Sequence, residues 1–144
     1  MSKGNTFEND LLGLIFNATA IADIAENDAT SPLTFLYLAL HTSDPGEGGS
    51  QTTNEATYTS YDRVAVARSG AGWTVATNTA TNAALAQFPQ CTGGSETLTH
   101  VSIGTADLPS AGKILYSGAL NASLAIANLI QPQFAASALT VTED

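Results

Sequence analysis

Basic residues are scarce in this chain of 144 residues. It has four of them, Lys3, Arg63, Arg68 and Lys113, against 13 acidic residues, and its formal net charge is −9. A protein that binds nucleic acid needs several lysines or arginines to replace the counterions of the phosphates. The same negative sign opposes binding to anionic membranes. The sequence therefore predicts that neither nucleic acid nor a membrane is a partner.

Cysteines and long apolar runs are also rare. Cys91 is the single cysteine, so no disulfide can form within the chain, and a buried, inert thiol is expected. The longest apolar run, Leu33–Leu40, is much shorter than the roughly 20 residues of a membrane-spanning helix. The first ten residues lack the pattern of a secretory signal peptide. We therefore expect the protein to be made and assembled in a cytoplasm.

Charged residues of both signs make up only 12% of the chain, about half of the usual share. Hydrophobic residues make up 44%, so a chain of this length can bury its own core as one domain. Its polar surface must come mainly from Thr, Ser, Asn, Gln and Gly. A neutral polar surface of this kind suits a protein that packs into an assembly.

One amphipathic helix is predicted over residues 5–26. Asn5 and Glu8 have the spacing of a capping box at its start. Turn-forming residues follow at Asn27–Pro32, so residues 1–32 are predicted to be an N-terminal helix and linker. The apolar positions recur every three or four residues, as on one face of a helix, at Phe7, Leu11, Leu14, Ile15, Ala18 and Ile21.

From Leu33 onward the sequence predicts short strands separated by turn signals. Such spacing is typical of a mainly β fold, an antiparallel β-sandwich or a jelly-roll-like barrel, here over residues 33–144. Gly70–Gly72 predicts a hairpin turn between the second and third strands. A short helix is the alternative for Asn78–Gln87 and Leu120–Ile130. With the helix, the whole chain is expected to form one structural unit. The predicted strands are Leu33–His41, Tyr61–Ser69, Trp73–Thr77, Ala80–Phe88, Leu98–Thr105, Gly112–Leu120, Ser123–Asn128, Gln133–Ala136 and Leu139–Thr142.

Two histidines are the candidate bases for hydrolytic chemistry, His41 and His100. A hydrolase also needs a nucleophile and a carboxylate, and Ser43, Ser102 and Asp44 have the required side chains. However, no Gly-x-Ser-x-Gly nucleophile sequence is present. We therefore predict that both imidazoles bond to nearby backbone and that the chain has no catalytic residues and is not an enzyme.

Metal and cofactor sites are not predicted either. Asp44, Glu47, Glu55 and Asp62 bracket a polar loop at Ser43–Thr59 and could in principle bind calcium, but a solvated acidic loop is the expected state. The two histidines and the distant cysteine lack the close spacing of a zinc site.

The Gly-rich runs Gly46–Gly49 and Gly93–Gly94 lack the sequence context of a phosphate loop. Trp73 is expected to anchor the core or a subunit contact rather than to stack on a sugar.

The order of several longer motifs points to a known family. This order spans essentially the whole chain and resembles that of small proteins of tailed bacteriophages that are labelled tail-fibre or head-fibre proteins. The resemblance implies a structural protein of the virion, and it brings no catalytic or metal-binding residues. The motifs are Asn5–Leu12, Leu36–Glu47, Tyr61–Val66, Phe88–Pro89, Cys91–Gly94, Thr99–Thr105, Ile114–Leu120 and Leu139–Thr142.

Among virion roles, the sequence favours capsid decoration or a head fibre. It has no collagen-like or coiled-coil repeat, and its predicted helix is too short for a shaft. We therefore expect an exterior subunit that binds the capsid lattice, with the major capsid protein as partner, and that forms a dimer or trimer of its own. The alternative is a tail-fibre or tail-tip protein that has tail proteins as partners and contacts the host receptor through Ser43–Thr59. A hydrolase that uses His41 or His100 is the third reading.

Overall fold

The computed structural model describes residues 5–21 and 32–143. These residues form one helix and antiparallel β-sheets, so the predicted mainly β fold with an N-terminal helix is confirmed. The described sheets are open, and none closes into a barrel. The elements are α1 (Asn5–Asn17), β1 (Phe35–His41), β2 (Val64–Ala67), β3 (Trp73–Ala76), β4 (Thr79–Asn82), β5 (Ala86–Gln87), β6 (Glu96–Gly104), β7 (Ile114–Ile126), β8 (Gln133–Phe134) and β9 (Thr140–Thr142).

The chain divides into two compact units, each made of separate segments. Unit 1 contains residues 1–35, 66–86 and 134–144, and unit 2 contains residues 36–65 and 87–133. The predicted boundary at residue 32 stays a prediction. Most of the predicted linker, residues 27–31, and the last turns of the predicted helix, residues 22–26, lie outside the described residues.

In unit 1, α1 packs against β3 and β4. Leu12 and Phe16 of the helix are fully buried, as are Trp73 and Ala80 of the strands. The rings of Phe16 and Trp73 lie 4.5 Å apart between centroids and are tilted by 58°, a favourable arrangement for an aromatic pair. The helix therefore packs on its own sheet through Leu12 and Phe16, whereas on the predicted apolar face Phe7 is exposed and Leu11, Leu14 and Ile15 are half-buried.

The helix ends at Asn17, and the prediction of one continuous helix over residues 5–26 is wrong because residues 18–21 are not helical. Ala18 has a left-handed conformation with φ of 54°, and the backbone N–H of Thr19 donates to the carbonyl oxygen of Gly13 at 3.1 Å. The guanidinium of Arg68 donates to the carbonyl oxygens of Leu14 and Ile15. A cation at the last turn satisfies free carbonyls and matches the negative end of the helix dipole. A tertiary contact thus stops the helix within its apolar repeat.

The hairpin predicted at Gly70–Gly72 is also wrong. The chain does turn there, since the N–H of Gly72 donates to the carbonyl oxygen of Ser69 at 2.9 Å. However, β2 and β3 lie in different sheets. Trp73 of β3 pairs with Asn82 of β4 instead, and the link between these two strands is a two-residue turn in which Thr77 has a φ of 58°. The three-stranded sheet has the order β3-β4-β9.

A buried amide holds this sheet to the C-terminal segment. Asn82 is 1% exposed, and its side-chain nitrogen donates to the carbonyl oxygens of Ala84 and Ala135 at 2.8 Å each. Its side-chain oxygen accepts the backbone N–H of Leu139 at 2.9 Å. The amide therefore uses both its donors and its acceptor, as a buried polar group must.

Unit 2 is built around the four-stranded sheet of order β2-β1-β6-β7. Five of the seven residues of β1 are buried, as the apolar run of this strand predicts. It pairs with β6 from Tyr37 opposite Gly104 to His41 opposite His100. No helix among residues 5–21 and 32–143 is long and apolar enough to cross a bilayer.

Two strands that the sequence predicts separately, Gly112–Leu120 and Ser123–Asn128, are one strand of 13 residues, β7. Its pairing with β6 shifts register between Leu98 and His100, which face Leu124 and Ala119 respectively. Leu120–Ser123 therefore lies opposite Thr99 alone, which is the geometry of a bulge. The strand interpretation of the two Ala-rich segments is confirmed for β4, β5 and β7.

Substitutions in α1 test the packing of unit 1. We expect Phe16→Ala to lower the free energy of unfolding by about 3–5 kcal/mol, because it removes a fully buried ring from the contact with Trp73. Phe7→Ala is the matched control in the same helix, and its ring is 39% exposed, so a loss of about 1 kcal/mol or less is expected. Urea denaturation measures both values, and equal losses would contradict the described packing.

Candidate functional site

The residue types of a hydrolase meet at one place in unit 2, where β1 ends. Nε2 of His41 lies 2.8 Å from Oγ of Ser102, and Nδ1 lies 2.9 Å from the carbonyl oxygen of Thr53. A carbonyl oxygen can only accept a hydrogen bond, so Nδ1 carries the proton and Nε2 accepts the hydroxyl of Ser102. Burial lowers the pKa of His41 below its ordinary value, which favours this neutral form.

The same geometry places the pair out of reach of a substrate. His41 is 0% exposed and Ser102 is 1% exposed. The group that orients the imidazole is a backbone carbonyl, whereas a hydrolase triad uses a carboxylate there. The backbone bond predicted for His41 is thus present, and the pair links β1, β6 and the loop at Thr53.

The other candidate residues of this chemistry are engaged elsewhere. The side chain of Asp44 accepts the backbone N–H of Gly46 at 2.8 Å, within its own turn. Nδ1 of His100 lies 2.9 Å from the hydroxyl oxygen of Thr99, where a backbone partner was predicted. The structure therefore brings Ser102 to His41, and it holds the carboxylate of Asp44 in a local turn.

A second buried cluster in unit 2 centres on an ion pair. Nε of Arg63 lies 2.7 Å from Oε1 of Glu55, with side-chain exposures of 0% and 8%, and Nη2 donates to Oε2 at 2.8 Å. Nη1 donates to the carbonyl oxygens of Ala106 and Ser110 at 2.7 and 2.8 Å. This fork-to-fork geometry satisfies the buried guanidinium almost completely. The sequence-based interpretation placed Glu55 in an acidic loop and missed this pair.

Tyr61 joins the ion pair to β1. Its hydroxyl donates to Oε1 of Glu55 at 3.0 Å and accepts the backbone N–H of Leu40 at 3.0 Å. Burial, with the nearby charge of Glu55, raises the pKa of Tyr61 well above its ordinary value. The phenol therefore stays protonated and serves as a fixed donor.

The carboxylates considered for calcium do not converge. Glu55 is paired with Arg63, and the carboxylate of Asp62 accepts the backbone N–H of Arg63 at 2.9 Å. Residues 5–21 and 32–143 contain no cluster of three or more His, Cys, Asp or Glu side chains that could hold a metal ion. Asp44, Glu47 and Asp62 lie at exposed positions, as expected for a solvated acidic loop, whereas the side chain of Glu55 is buried against Arg63.

Gln51 fixes the polar loop from inside and was not singled out by the sequence. It is fully buried. Its amide nitrogen donates to the carbonyl oxygen of Tyr37 at 3.0 Å, and its amide oxygen accepts the N–H of Ala106 at 3.1 Å. A Cβ at Gly104 or Gly112 would overlap the Gln51 amide, so these glycines make the space that it fills. A lone Gln among turn residues gives no sequence signal for this role.

Trp73 lies in the core of unit 1 and is 0% exposed. Its contact with Phe16 confirms the core interpretation and leaves no face of the indole for a sugar. The side chains of His41, Ser102, Glu55 and Arg63 are also buried, so these candidate site residues serve the fold. Any function in binding must then depend on exposed surface.

One feature of that surface in unit 2 is the uncharged strand β7. Residues 114–142 contain no charged side chain, in a chain whose net charge is −9. Most of the side chains of Ser117–Ala125 are exposed, with Leu120 and Leu124 half-buried. Two large apolar residues follow the strand, Leu129 with 68% and Ile130 with 40% exposure. Counting charges along the chain, rather than in total, would have revealed this stretch.

The buried imidazole predicts a pH dependence of stability. The unfolded chain binds a proton at His41 near the ordinary pKa of 6.5, whereas burial disfavours that proton in the fold. The free energy of unfolding should therefore fall as the pH drops below about 6.5, by at most about 1.4 kcal/mol per pH unit. We expect His41→Gln to remove this slope between pH 6.5 and about 5, and His100→Gln to retain it. Urea titrations at each pH measure the slope, and an unchanged slope in His41→Gln would contradict the assignment.

The ion pair predicts a characteristic pattern in a double-mutant cycle. Arg63→Met leaves Glu55 buried without its partner, so a loss of about 3–5 kcal/mol in the free energy of unfolding is expected. Adding Glu55→Gln removes the buried charge and should recover part of that loss. Chemical denaturation of the single and double variants gives the coupling, and strictly additive losses would show that the pair is not formed.

The comparison with protein families agrees with the motif order found in the sequence. A family model described as the podophage GP4 fiber I protein gp80 matches residues 3–142. No curated protein matches the chain. The family match spans nearly the full length and includes every strand described above. The chain therefore belongs to the family of the podophage GP4 fiber I protein gp80, a family of phage fibre structural proteins.

Proposed function

We propose that this protein is a non-enzymatic structural subunit on the exterior of a podophage virion, held to its neighbours through uncharged surface. The observation that carries the proposal is the contrast between the two kinds of residue in unit 2. The side chains of the candidate catalytic pair, His41 and Ser102, are buried, whereas the largely exposed strand β7 has no charged side chain. A protein with this arrangement of side chains is suited to assembly with other subunits rather than to catalysis.

The burial of His41 and Ser102 supports the proposal that the protein is not an enzyme. A serine nucleophile must reach a substrate carbonyl and needs oxyanion donors beside it. The hydroxyl of Ser102 donates into the interior toward His41, and neither side chain reaches solvent. The pair therefore acts as an internal hydrogen bond.

On the particle, we propose a head location, where the protein binds the capsid lattice and the major capsid protein is its partner. This role is supported by the described residues, in which the only helix, α1, has 13 residues and the β-sheets are small. A fibre shaft needs a long repeat, and a compact subunit that studs or reinforces a lattice does not.

A tail location is the second candidate, favoured by the rigidity of one exposed loop. Within Ser43–Thr59, Gln51 is buried and hydrogen-bonded, while Glu47, Thr52 and Asn54 are exposed. A loop fixed at its centre loses little entropy on binding, as suits a receptor contact. In that case deletion of the exposed tip should reduce phage adsorption.

Purified virions test the location and the structural role together. Quantitative mass spectrometry should give hundreds of copies per particle, and antibody-gold labelling should decorate the head. A few to a few dozen copies at the tail would favour the second candidate. A particle that lacks the protein would contradict the structural proposal as a whole.

Substitution of the buried serine tests the absence of catalysis. Phages that carry Ser102→Ala should adsorb and infect as the parent does, because the hydroxyl only completes an internal hydrogen bond. The stability cost should be about 1 kcal/mol. Ser123→Ala, at an exposed position of β7, is the control. If infectivity fell in Ser102→Ala virions that contain the folded protein in normal amount, the proposal would be overturned.

A further inference from the structure

We propose that two copies of this chain associate through an uncharged surface of unit 2, the neutral surface, which is formed by residues 87–92 and 127–133. Leu129 and Ile130 lie at the centre of the contact, and the copies meet around a two-fold axis with one apolar pair against the other. This inference rests on the proposed structural function, because it names a contact through which such a subunit would assemble.

The two segments of the neutral surface are hydrogen-bonded to each other. The backbone N–H of Leu129 donates to the carbonyl oxygen of Cys91 at 2.8 Å, and the N–H of Cys91 donates to that of Ile130 at 2.8 Å. The side-chain amide of Gln90 donates to the carbonyl oxygen of Leu129 at 2.9 Å. The backbone that carries the two apolar side chains is therefore fixed by the fold, so little entropy is lost when a partner binds there.

Leu129 has a backbone conformation that leucine rarely adopts. Its φ is 72°, and the N–H of Ile130 donates to the carbonyl oxygen of Ala127 at 3.0 Å, so residues 127–130 form a β-turn with Leu129 in third place. A positive φ there favours Gly or Asn, and any other side chain costs free energy. The leucine is also 68% exposed. A large apolar side chain in a strained and exposed position indicates a role outside its own subunit.

The apolar centre of the neutral surface is a single patch. Of the large apolar side chains that the structure describes in unit 2, the exposed ones are Leu129 and Ile130, and the other exposed ones belong to unit 1. A two-fold contact uses the same patch on both copies, whereas a ring needs two different patches. One patch that meets its own copy is therefore enough to close a dimer.

The charge of the chain favours a second copy as the occupant. Two runs, 69–95 and 114–142, contain no charged side chain, and both segments of the neutral surface lie within them. Two chains of net charge −9 repel one another wherever their acidic residues meet. Copies that meet at the neutral surface approach with the least repulsion, whereas a basic partner would find no ion pair there.

The polar side chains of the neutral surface also suit a contact with itself. They are amides, and each amide carries both a hydrogen-bond donor and an acceptor. A surface of amides can therefore bond to a copy of itself, whereas ionised carboxylates offer acceptors alone. The exposed amides are those of Gln87, Gln90, Asn128, Gln131 and Gln133.

Sedimentation of the full chain tests the contact. We expect a reversible dimer at micromolar concentration and a dissociation constant raised by at least about tenfold in Leu129→Asn, because the apolar centre is lost. Leu33→Asn is the matched control, since Leu33 is a leucine of unit 1 that is 45% exposed, and it should leave the dimer intact. Neither substitution changes the net charge, so a difference between them reports the contact.

The stability of the same variant separates loss of the contact from loss of the fold. Asparagine tolerates a positive φ, so Leu129→Asn should keep or raise the free energy of unfolding of the monomer. Urea denaturation at a concentration below the dissociation constant measures it. Leu129→Gly, which also relieves the turn, replaces Leu129→Asn if the latter does not fold.

A charge placed on the neutral surface gives an independent readout. Asn128→Asp brings two negative charges together near the two-fold axis, so the dissociation constant should rise by about tenfold at low salt and recover in part at high salt. Thr74→Asp, on an exposed position of β3, adds the same net charge and should change the dimer much less. Equal effects of the two substitutions would contradict the contact.

A chain that stays monomeric, or a dimer that Leu129→Asn and Asn128→Asp leave unchanged, overturns the inference. If a monomeric chain enters virions and its Leu129→Asn variant does not, the neutral surface binds another virion protein and self-association is overturned. Incorporation is measured separately from association. A monomer that is present in the particle would overturn this inference alone, whereas a dimer that is absent from the particle would overturn the proposed function alone.

Discussion

The buried ion pair between Arg63 and Glu55 is the interaction on which the rest of unit 2 depends. It holds the start of β2 to the polar loop, and through Nη1 of Arg63 it also holds the segment between β6 and β7. Tyr61 extends the same network to the backbone of β1. A buried charge is tolerated only when it is fully partnered. This requirement fixes the position of every segment that supplies a partner.

Arginine has a second structural use in unit 1. Arg68 donates to carbonyl oxygens at the end of α1 and to that of Leu33, so it terminates the helix and places the chain that enters β1. Of the four basic residues, two are therefore engaged with the fold itself. Both arginines of the chain thus act as hydrogen-bond donors to the fold.

Secondary-structure elements are predicted well where the local residue pattern determines them. The prediction fails where a contact between residues distant in the sequence determines where an element ends or which strand it pairs with. The apolar run of β1, the start of α1 and the strand β6 follow from period and turn signals alone. The helix end does not, because it depends on Arg68, which lies 53 residues beyond Ile15 in the sequence. The prediction of which strand pairs with β3 was wrong, because a Gly-rich turn shows that the chain bends but not which strand pairs next.

The candidate site shows the same division. The sequence contains His41, Ser102 and Glu55, yet their burial and their partners depend on the register of β1 against β6 and on a loop without periodic pattern. The sequence argues against metal and phosphate motifs, but it could not show that a serine and a histidine 61 residues apart would meet inside the fold.

The buried side chain of Gln51, which holds the polar loop in place, has an evolutionary consequence. Its side chain fills the space left by Gly104 and Gly112, while Glu47 and Gly48 remain exposed at the tip. Selection on folding therefore acts on this amide, on these two glycines and on Gly49, where a Cβ would overlap the carbonyl oxygen of Pro45, whereas the exposed side chain of Glu47 is open to substitution. A phage under pressure from a changing host or antibody could diversify its outer surface here without rebuilding the subunit.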